Sequence, residues 1–549
     1  AACGGGGGSD PTAVGSPPPA PPPAPTPPPP AGLSAIDASR FLTQATFGLR
    51  STDEVAALQA QGLEDWLVQQ FAAPAASQVS FLDEWRTRKN RNKVADEASY
   101  EAVWQQWLWG ADPLRSRIVW SLLQVFVISN VAPDVRPYAM SSYMDMLGRN
   151  AFGNYRQLLE EVALHPAMGY YLNMLESGKE NAAKGTHPSE NFAREVLQLF
   201  SIGLVKLHLD GSTQTAGGVP VPTYDQSVVK GFAKAFTGWS FGNQDNTNPK
   251  KFDTNNGENT DANWLVPMKA WPSHHDSTAK TLLDGRVLPA GQTAEQDLKD
   301  ALDTIFNHAN VGPFFCRQMI QRLVTSNPSP AYLQRVAGVF NDNGAGVRGD
   351  LQAVWRAILL DTEARGDDAP GRAGYGKQRE PVVRFANFLR ALGAASASGY
   401  NEIDYLDSAD NALGQSPLLA PSVFNFYSPN YRPAGALAAA GLVAPEFQIT
   451  SETTVAGAMN FFSALFDAGS YGNGASKVTL DYGPLVALAA TPAALVARLD
   501  ELFFNRQMGD GTRGRLTTLL AAMSRSTARE RVTAALKITA MSTDFVIQK

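Results

Sequence analysis

The sequence predicts a mainly α-helical protein: one large multi-helix domain with a small β-hairpin insertion and long ordered loops. Apolar residues recur at three- and four-residue spacing in most segments after residue 33, which is the pattern of helices that bury one face. Capping signals precede several segments, as at Ser51-Thr52-Asp53-Glu54. The chain after residue 33 has no linker and no repeat of about 20–50 residues. Residues 34–549 are therefore expected to form a single domain.

The predicted elements follow one another along this domain. The helical segments are residues 41–47, a helix from residue 51, then 63–71, 100–109, 114–129, 138–147, 155–164, 187–203, 225–236, 293–307, 312–325, 331–340, 350–365, 380–392, 450–466, 492–504 and 513–541. Strand-like residues at 204–209 indicate the hairpin. Residues 417–433 contain four prolines and four aromatic residues, which indicates an ordered loop. Trp104, Trp107 and Trp109 either anchor helix packing or line a stacking cleft.

Residues 1–33 differ from the rest in being rich in glycine and proline. Such a segment buries too little surface to fold, and its prolines make it a semi-rigid extended spacer. Ala-Ala-Cys3 followed by five glycines resembles the end of a bacterial lipoprotein signal, whose cysteine carries a lipid. We expect a disordered tether, with Cys3 lipidated or with an ordinary exported tail as the alternative.

Composition narrows the possible partners. A formal net charge of −6 over 549 residues gives no electrostatic reason to expect nucleic acid. No apolar run reaches the roughly 18 residues of a transmembrane helix. Only two cysteines and six histidines are present, so a site built from several histidines would use most of them.

The segment 187–203 is expected to be the central helix. Pro188 suits its first turn and Gly203 suits its end. Its polar residues share one arc, and they are Glu190, Asn191, Arg194, Glu195, Gln198 and Ser201. This arc is either a solvated face with i, i+4 pairs such as Glu190–Arg194 or the wall of a site.

Several short motifs occur in a fixed order along the chain. They are Arg40-Phe-Leu-Thr-Gln-Ala-Thr-Phe-Gly48, Glu190-Asn191-Phe-Ala-Arg194-Glu195 with Gly203, Ala235-Phe-Thr-Gly-Trp239, His275-Asp276 with Lys280, Lys377 with Arg379-Glu380-Pro381, and Phe424-Asn-Phe-Tyr-Ser-Pro429. Together they resemble the bacterial family called domain of unknown function 1800, over roughly residues 34–548. Proteins of this family are typically exported and often encoded beside a second exported protein. The resemblance thus implies an exported location and a co-exported partner, and no particular chemistry.

Paired carboxylates are the first candidate site. Acid–base hydrolysis, including glycoside hydrolysis, needs two carboxyl groups with different pKa values at a set separation. We expect Glu190 and Asp276 to form this pair, with Arg194 orienting or neutralising one of them and Glu195 as a further candidate. The expected substrate contacts are Asn191, His275, Lys280, Trp239, Phe426 and Tyr427. The alternative is that Glu190–Arg194 and Asn191–Glu195 are structural pairs.

A divalent metal is the second possibility and no cofactor is the expectation. His187 and Glu190 lie three residues apart and could share an ion with His275 and Asp276. No His-Glu-x-x-His motif, nucleophile elbow or phosphate-binding loop is present.

These observations favour an exported protein, whether an outer-membrane lipoprotein, periplasmic or extracellular. Its expected activity is hydrolysis of a polysaccharide or another extracellular polymer through paired carboxylates. The alternatives are a non-catalytic helical scaffold or binding protein of the envelope, and a metal-dependent hydrolase. The expected partners are the polymer or a co-exported protein.

Overall fold

The structure, a computed structural model, describes residues 32–131, 135–253 and 260–549, and these fold into α-helices joined by loops and five short two-stranded antiparallel sheets. The helices are α1 (Ala35–Ala45), α2 (Asp53–Gln61), α3 (Leu63–Ala72), α4 (Gln78–Arg88), α5 (Glu97–Trp109), α6 (Pro113–Leu123), α7 (Pro137–Asn150), α8 (Tyr155–Leu164), α9 (Pro166–Tyr171), α10 (Asn191–Glu195), α11 (Gln226–Ala235), α12 (Ala294–Phe306), α13 (Val311–Leu323), α14 (Pro330–Asn341), α15 (Leu351–Leu359), α16 (Pro381–Ala391), α17 (Ala436–Ala439), α18 (Glu452–Ala468), α19 (Gly483–Val486), α20 (Pro492–Phe503), α21 (Asp510–Ala522), α22 (Ala528–Met541) and α23 (Thr543–Val546). The strands are β1 (Thr215–Ala216), β2 (Val219–Pro220), β3 (Trp239–Ser240), β4 (Lys269–Ala270), β5 (Lys280–Thr281), β6 (Val287–Leu288), β7 (Lys377–Gln378), β8 (Ser470–Tyr471), β9 (Val478–Thr479) and β10 (Ile547–Gln548). The mainly α prediction is confirmed.

Most predicted helices are present within a few residues of their expected ends. The predicted segment 293–307 is α12, and its start is fixed by Thr293, whose side chain accepts a hydrogen bond from the Gln296 N–H. The segment 513–541 is two helices, because the chain turns between α21 and α22 and Thr527 opens the second with a capping box.

The apolar core runs without a break from Ala38 in α1 to Phe545 in α23. Trp107 lies at an aromatic centre, with ring centroids 5.2 Å from Trp104, 5.1 Å from Trp120 and 4.2 Å from Phe47. Trp104 and Trp107 are buried. These two tryptophans therefore anchor packing, and the alternative of a stacking cleft is wrong for them.

The central helix is shorter than predicted and irregular. Helical residues begin at Asn191, so Pro188 precedes the helix, and Val196–Ser201 forms a wider, π-helical turn. The wider turn shifts the faces that a 100° repeat assigns. Glu195 at the end of α10 and Ser201 in the wider turn are both buried, although both were expected on the polar arc, whereas Asn191 is exposed.

The predicted hairpin is confirmed, but its strands lie later in the chain. β1 pairs with β2, and isolated bridges join Val205 to Pro222 and Leu207 to Thr213. The Asn310 side chain ties this hairpin segment, residues 204–223, to the start of α13. Its amide nitrogen donates to the Val205 carbonyl at 2.7 Å and its oxygen accepts from the Leu207 N–H at 2.9 Å.

The C-terminal residues are joined to the middle of the chain. β10 pairs with β7, and the Gln548 amide donates to the Leu323 carbonyl at 2.8 Å. No helix in the described ranges is long and apolar enough to cross a membrane. Cys316 is a buried free thiol. Cys3 and nearly all of the predicted tether lie outside the described residues.

Candidate functional site

Glu190 and Arg194 form a pair on the protein surface. Their side chains are 3.0 Å apart, and the Gln226 amide donates to Glu190 at 2.6 Å. Asn191 donates to the Asn173 side chain at 3.1 Å. Glu190 and Arg194 therefore make the i, i+4 pair that was the structural alternative.

Asp276 has different neighbours. It accepts hydrogen bonds from the Thr278 N–H at 2.8 Å and hydroxyl at 2.6 Å, and it lies 3.9 Å from Lys234. Burial alone would raise the pKa of Asp276, but the Thr278 hydrogen bonds and Lys234 outweigh it and lower that pKa.

Glu190 and Asp276 contact opposite ends of α11. Glu190 meets Gln226 at its first residue, and Asp276 meets Lys234 near its last. Eight helical residues span about 12 Å, which exceeds the separation of roughly 5–9.5 Å at which two carboxyl groups cleave a glycoside. The described contacts give the two residues no shared partner, and their acid–base pairing stays a prediction.

His275 points away from its neighbour Asp276 and into the core. Its Nε2 lies 2.9 Å from the Asp297 carboxylate, and its Nδ1 lies 3.0 Å from the Thr237 carbonyl oxygen. Lys280 lies 2.6 Å from the same Asp297 oxygen, and neither of these two side chains is exposed. His275 and Lys280 were predicted substrate contacts. Their burial makes them parts of an internal charge cluster.

The three aromatic residues predicted to bind substrate are also buried: Trp239, Phe426 and Tyr427 are 3%, 8% and 3% exposed. The Tyr427 hydroxyl donates to the Gln124 side-chain oxygen at 2.7 Å. Gln124 in turn donates to Glu380, which also accepts from Trp120 at 3.1 Å. Burial keeps these three side chains from contacting a polymer on the surface. Tyr427 belongs to a polar network between α6, α16 and the 417–433 loop.

Glu195 is the one predicted catalytic carboxylate that lacks a hydrogen bond. Its Oε2 atom is buried and unpartnered within the described residues, as is the Tyr224 hydroxyl nearby. Burial raises the pKa of Glu195, and Arg194 offsets this only in part. The same environment raises the pKa of Tyr224 to about 12.

The four residues considered for a metal are not brought together. His187 is exposed and lies 3.7 Å from Glu180, whereas His275 faces Asp297 inside the core. In the ranges that the structure describes, no three His, Cys, Asp or Glu side chains are grouped to hold an ion.

An open cleft lies between the hairpin segment, α13 and the 417–433 loop. We call it the arginine cleft; it has a volume of about 600 Å³ and adjoins a second cavity of about 590 Å³, with which it shares Arg317 and Gly211. The lining residues that matter here are Gln198, Arg317, Gln318, Phe424, Asn430 and Arg432. Phe424 is 57% exposed, which is unusual for a residue flanked by a buried polar network.

Arg317 and Arg432 lack counter-charges. Neither guanidinium makes a hydrogen bond or ion pair with any residue in the described part of the chain. Burial, and then repulsion from Arg432, lower the pKa of Arg317. The buried Nε2 of Gln318 also has no partner among the described residues. The cleft therefore presents two positive charges that no carboxylate among the described residues neutralises.

A second, larger groove of about 910 Å³ lies between α7 and α8; we call it the acidic groove, and among its lining residues are Asp145, Arg156, Glu160, His165 and Asp303. Burial raises the pKa of Asp145, although Gln78 and Ser77 donate to it. Burial would also raise the pKa of Asp303, but Lys299 and Arg156 lower it. Burial lowers the pKa of His165 to about 3, so this ring is neutral.

Sequence reasoning missed Asp297, Arg317 and Arg432. Asp297 looked like an ordinary first-turn acid of α12. Arg317 follows the apolar run Phe314-Phe315-Cys316 in α13, which was a usable signal. Arg432 meets it only through folding of the 417–433 loop.

The fold and these sites define a large helical protein with charges paired inside its core and open clefts between its helices. A family profile described as "Protein of unknown function (DUF1800)" matches residues 40–547. The chain belongs to this family, which confirms the resemblance of its motifs. Comparison with curated proteins and with solved structures gave no match.

Replacing Asp297 by Asn should lower the free energy of unfolding by about 3–5 kcal/mol, because the Lys280 ammonium would stay buried without its carboxylate. Urea denaturation measures this. Asp284→Asn is the control, since Asp284 is 66% exposed in its pair with Lys206, and it should cost less than about 1 kcal/mol. Equal effects of the two substitutions would contradict the importance of the buried cluster.

Replacing Glu195 by Gln should raise the midpoint temperature of unfolding at neutral and alkaline pH. A carboxyl whose pKa is raised by folding stabilises the protein at low pH, and that stability is lost as the pH rises through the folded-state pKa. The glutamine variant lacks this loss, so the difference in midpoint temperature between the variant and the wild type should shrink towards pH 4. Thermal unfolding across pH measures it, with Glu190→Gln on the surface as the control. A destabilised Glu195→Gln variant at pH 8 would refute the assignment.

Proposed function

We propose that this protein is an exported, non-catalytic binding protein of the cell envelope that holds an acidic polysaccharide in the arginine cleft. The observation that carries this proposal is the pair of neighbouring guanidiniums, Arg317 and Arg432, that face the cleft without carboxylate partners. Placing two like charges together costs free energy, and an anionic ligand offsets that cost.

The other lining groups suit a sugar polymer. Guanidinium groups bind carboxylates and sulfates through two parallel hydrogen bonds. Gln198 and Asn430 offer amides for sugar hydroxyls, and the exposed ring of Phe424 offers a stacking surface. The adjoining cavity extends the site beyond one sugar unit.

Export is supported by the sequence and by family membership. Residues 1–33 have the composition of a tether, and Cys3 stands in a setting that resembles a processed lipoprotein signal. Family members are typically exported beside a second exported protein, which is therefore the proposed protein partner. An outer-membrane, periplasmic or extracellular location fits such a tether.

Binding without catalysis is preferred because the two carboxylates predicted to form the acid–base pair, Glu190 and Asp276, are engaged with other partners. Glu190 pairs with Arg194 and Gln226, while Asp276 is held by Thr278. The buried hydrogen-bond network at Glu380 and the charge cluster at Asp297 stabilise the fold. A polymer can reach the arginine cleft but not the buried Glu380 network or the buried Asp297 cluster.

A polymer hydrolase is the second candidate, and it is favoured by the acidic groove. Asp145 and Asp303 both line this groove, and their pKa values are displaced in opposite directions. Such a difference is what a general acid and a general base require. Against it, Asp145 caps the start of α4 through the Gln78 and Val79 N–H groups, and Asp303 pairs with Arg156 at 2.7 Å.

The double variant Arg317→Gln/Arg432→Gln should weaken binding of polygalacturonate at least about tenfold, which corresponds to ~1.4 kcal/mol. Neutral dextran should bind weakly to wild type and variant alike. Isothermal titration calorimetry at two salt concentrations measures this, because charge-dependent binding weakens with salt.

Arg525→Gln is the control, because it makes the same kind of substitution, with the loss of one positive charge, at an exposed position outside both clefts. Equal loss in this variant, or equal affinity for dextran and polygalacturonate, would overturn the proposal. The same incubations test hydrolysis by the chain length of the recovered polymer. Shortening that Asp145→Asn abolishes would establish the second candidate, whereas unchanged length would exclude it for this substrate.

A further inference from the structure

Another cavity lies on a different part of the molecule, where α16, α18 and the C-terminal residues meet. Its volume is about 340 Å³, near the lower end of the range of small-molecule sites. The walls are mostly apolar side chains, and they include Phe447, Ile449, Ala458, Phe462 and Val546. A cavity with such walls favours an apolar ligand or an apolar part of one.

Arg384, in the first turn of α16, is the only charged residue among the described residues that line this cavity. Its Nε atom is buried without a hydrogen-bond partner. No hydrogen bond or ion pair joins its guanidinium to another residue within the described ranges. Burial lowers the pKa of Arg384 to about 10, so the group still carries its charge at neutral pH.

The arginines that are buried in the core of this protein donate hydrogen bonds to backbone carbonyls. Arg379 donates to the Phe545 carbonyl at 2.8 Å, and Arg390 donates to the Gly48 carbonyl at 2.8 Å. Arg322 donates to the Gln124 carbonyl at 3.0 Å. Arg384 has neither a carbonyl nor a carboxylate as a partner among the described residues. An anion that enters the cavity would supply this partner.

The opening of the cavity is also apolar. Val455, Met459 and Met541 line it and are 44%, 42% and 38% exposed. Large exposed apolar side chains grouped around one cavity indicate a surface that an apolar ligand covers. The Gln378 amide, which also lines the cavity, is already engaged, since it donates to the Thr450 hydroxyl at 2.7 Å.

We infer that this cavity binds a single-chain amphiphilic carboxylate, with the carboxylate on Arg384 and the alkyl chain against Phe447, Ala458 and Phe462. A planar guanidinium matches a carboxylate through two parallel hydrogen bonds. A single cation suits a monoanion better than a phosphate dianion. The volume fits one medium-length chain and excludes a two-chain lipid. This site is separate from the arginine cleft and does not depend on the polysaccharide proposal.

Decanoate, decanol and decyl phosphate are the probes, titrated calorimetrically into the full chain. Decanoate should bind at least about tenfold more tightly than decanol. Arg384→Gln should remove that preference by weakening decanoate at least about tenfold while decanol is unchanged. Ala458→Trp, which fills the cavity, should abolish binding of both. Arg525→Gln and the double variant Arg317→Gln/Arg432→Gln should bind decanoate as wild type does.

A second measurement uses wild-type protein only and so does not depend on folding of the variants. A decanoate analogue with a terminal diazirine should label peptides within residues 447–462 or 540–547 after irradiation, and excess decanoate should suppress the label. Labelling confined to other peptides, equal affinity for decanoate and decanol, or a decanoate affinity within twofold of wild type in a folded Arg384→Gln variant would each overturn the inference. Tighter binding of decyl phosphate than of decanoate would overturn the assignment of a carboxylate as the bound anion.

Discussion

Ionised groups buried in the core must be paired, and this requirement holds distant segments of the chain together. Lys377 and Glu446 are 2.7 Å apart and each is 1% exposed. Glu380 accepts hydrogen bonds from Trp120 and Gln124 at the end of α6 and from Gln415, which lies in a distant region of the sequence. An unpaired charge in such a place costs several kcal/mol. Each pair therefore selects one relative position for its elements, whereas apolar packing alone tolerates several.

The same requirement distinguishes architecture from sites. Charges that the protein uses to define its fold are met by side chains or by backbone carbonyls, as at Lys280 and Arg322. Arg317, Arg432 and Arg384 have no such partner among the described residues, and all three line open cavities. Positively charged groups without partners attract anions and repel metal ions, so these cavities suit anionic ligands.

The fold class, most helix positions and the family were predictable from the sequence, because helical periodicity and capping are local properties. The central helix was misjudged because it begins only at Asn191 and widens at Val196–Ser201, so a fixed 100° repeat over residues 187–203 assigns Ser201 to the wrong face. The sites were less predictable. Motif residues such as His275, Lys280 and Tyr427 serve the core, and nothing local separates them from surface ligands. Arg317 and Arg432 meet only through tertiary contacts across 114 intervening positions in the printed chain.

The pairing of β10 with β7 has a consequence for how the protein is made. Residues 547–548 are hydrogen-bonded to residues 377–378, and Phe545 belongs to the same core as Ala38. Contacts so distant in sequence form slowly, and these cannot form until synthesis has reached residue 548. The nascent chain therefore lacks the β7–β10 pairing, and the contacts of Phe545 in the core, until these residues have been made.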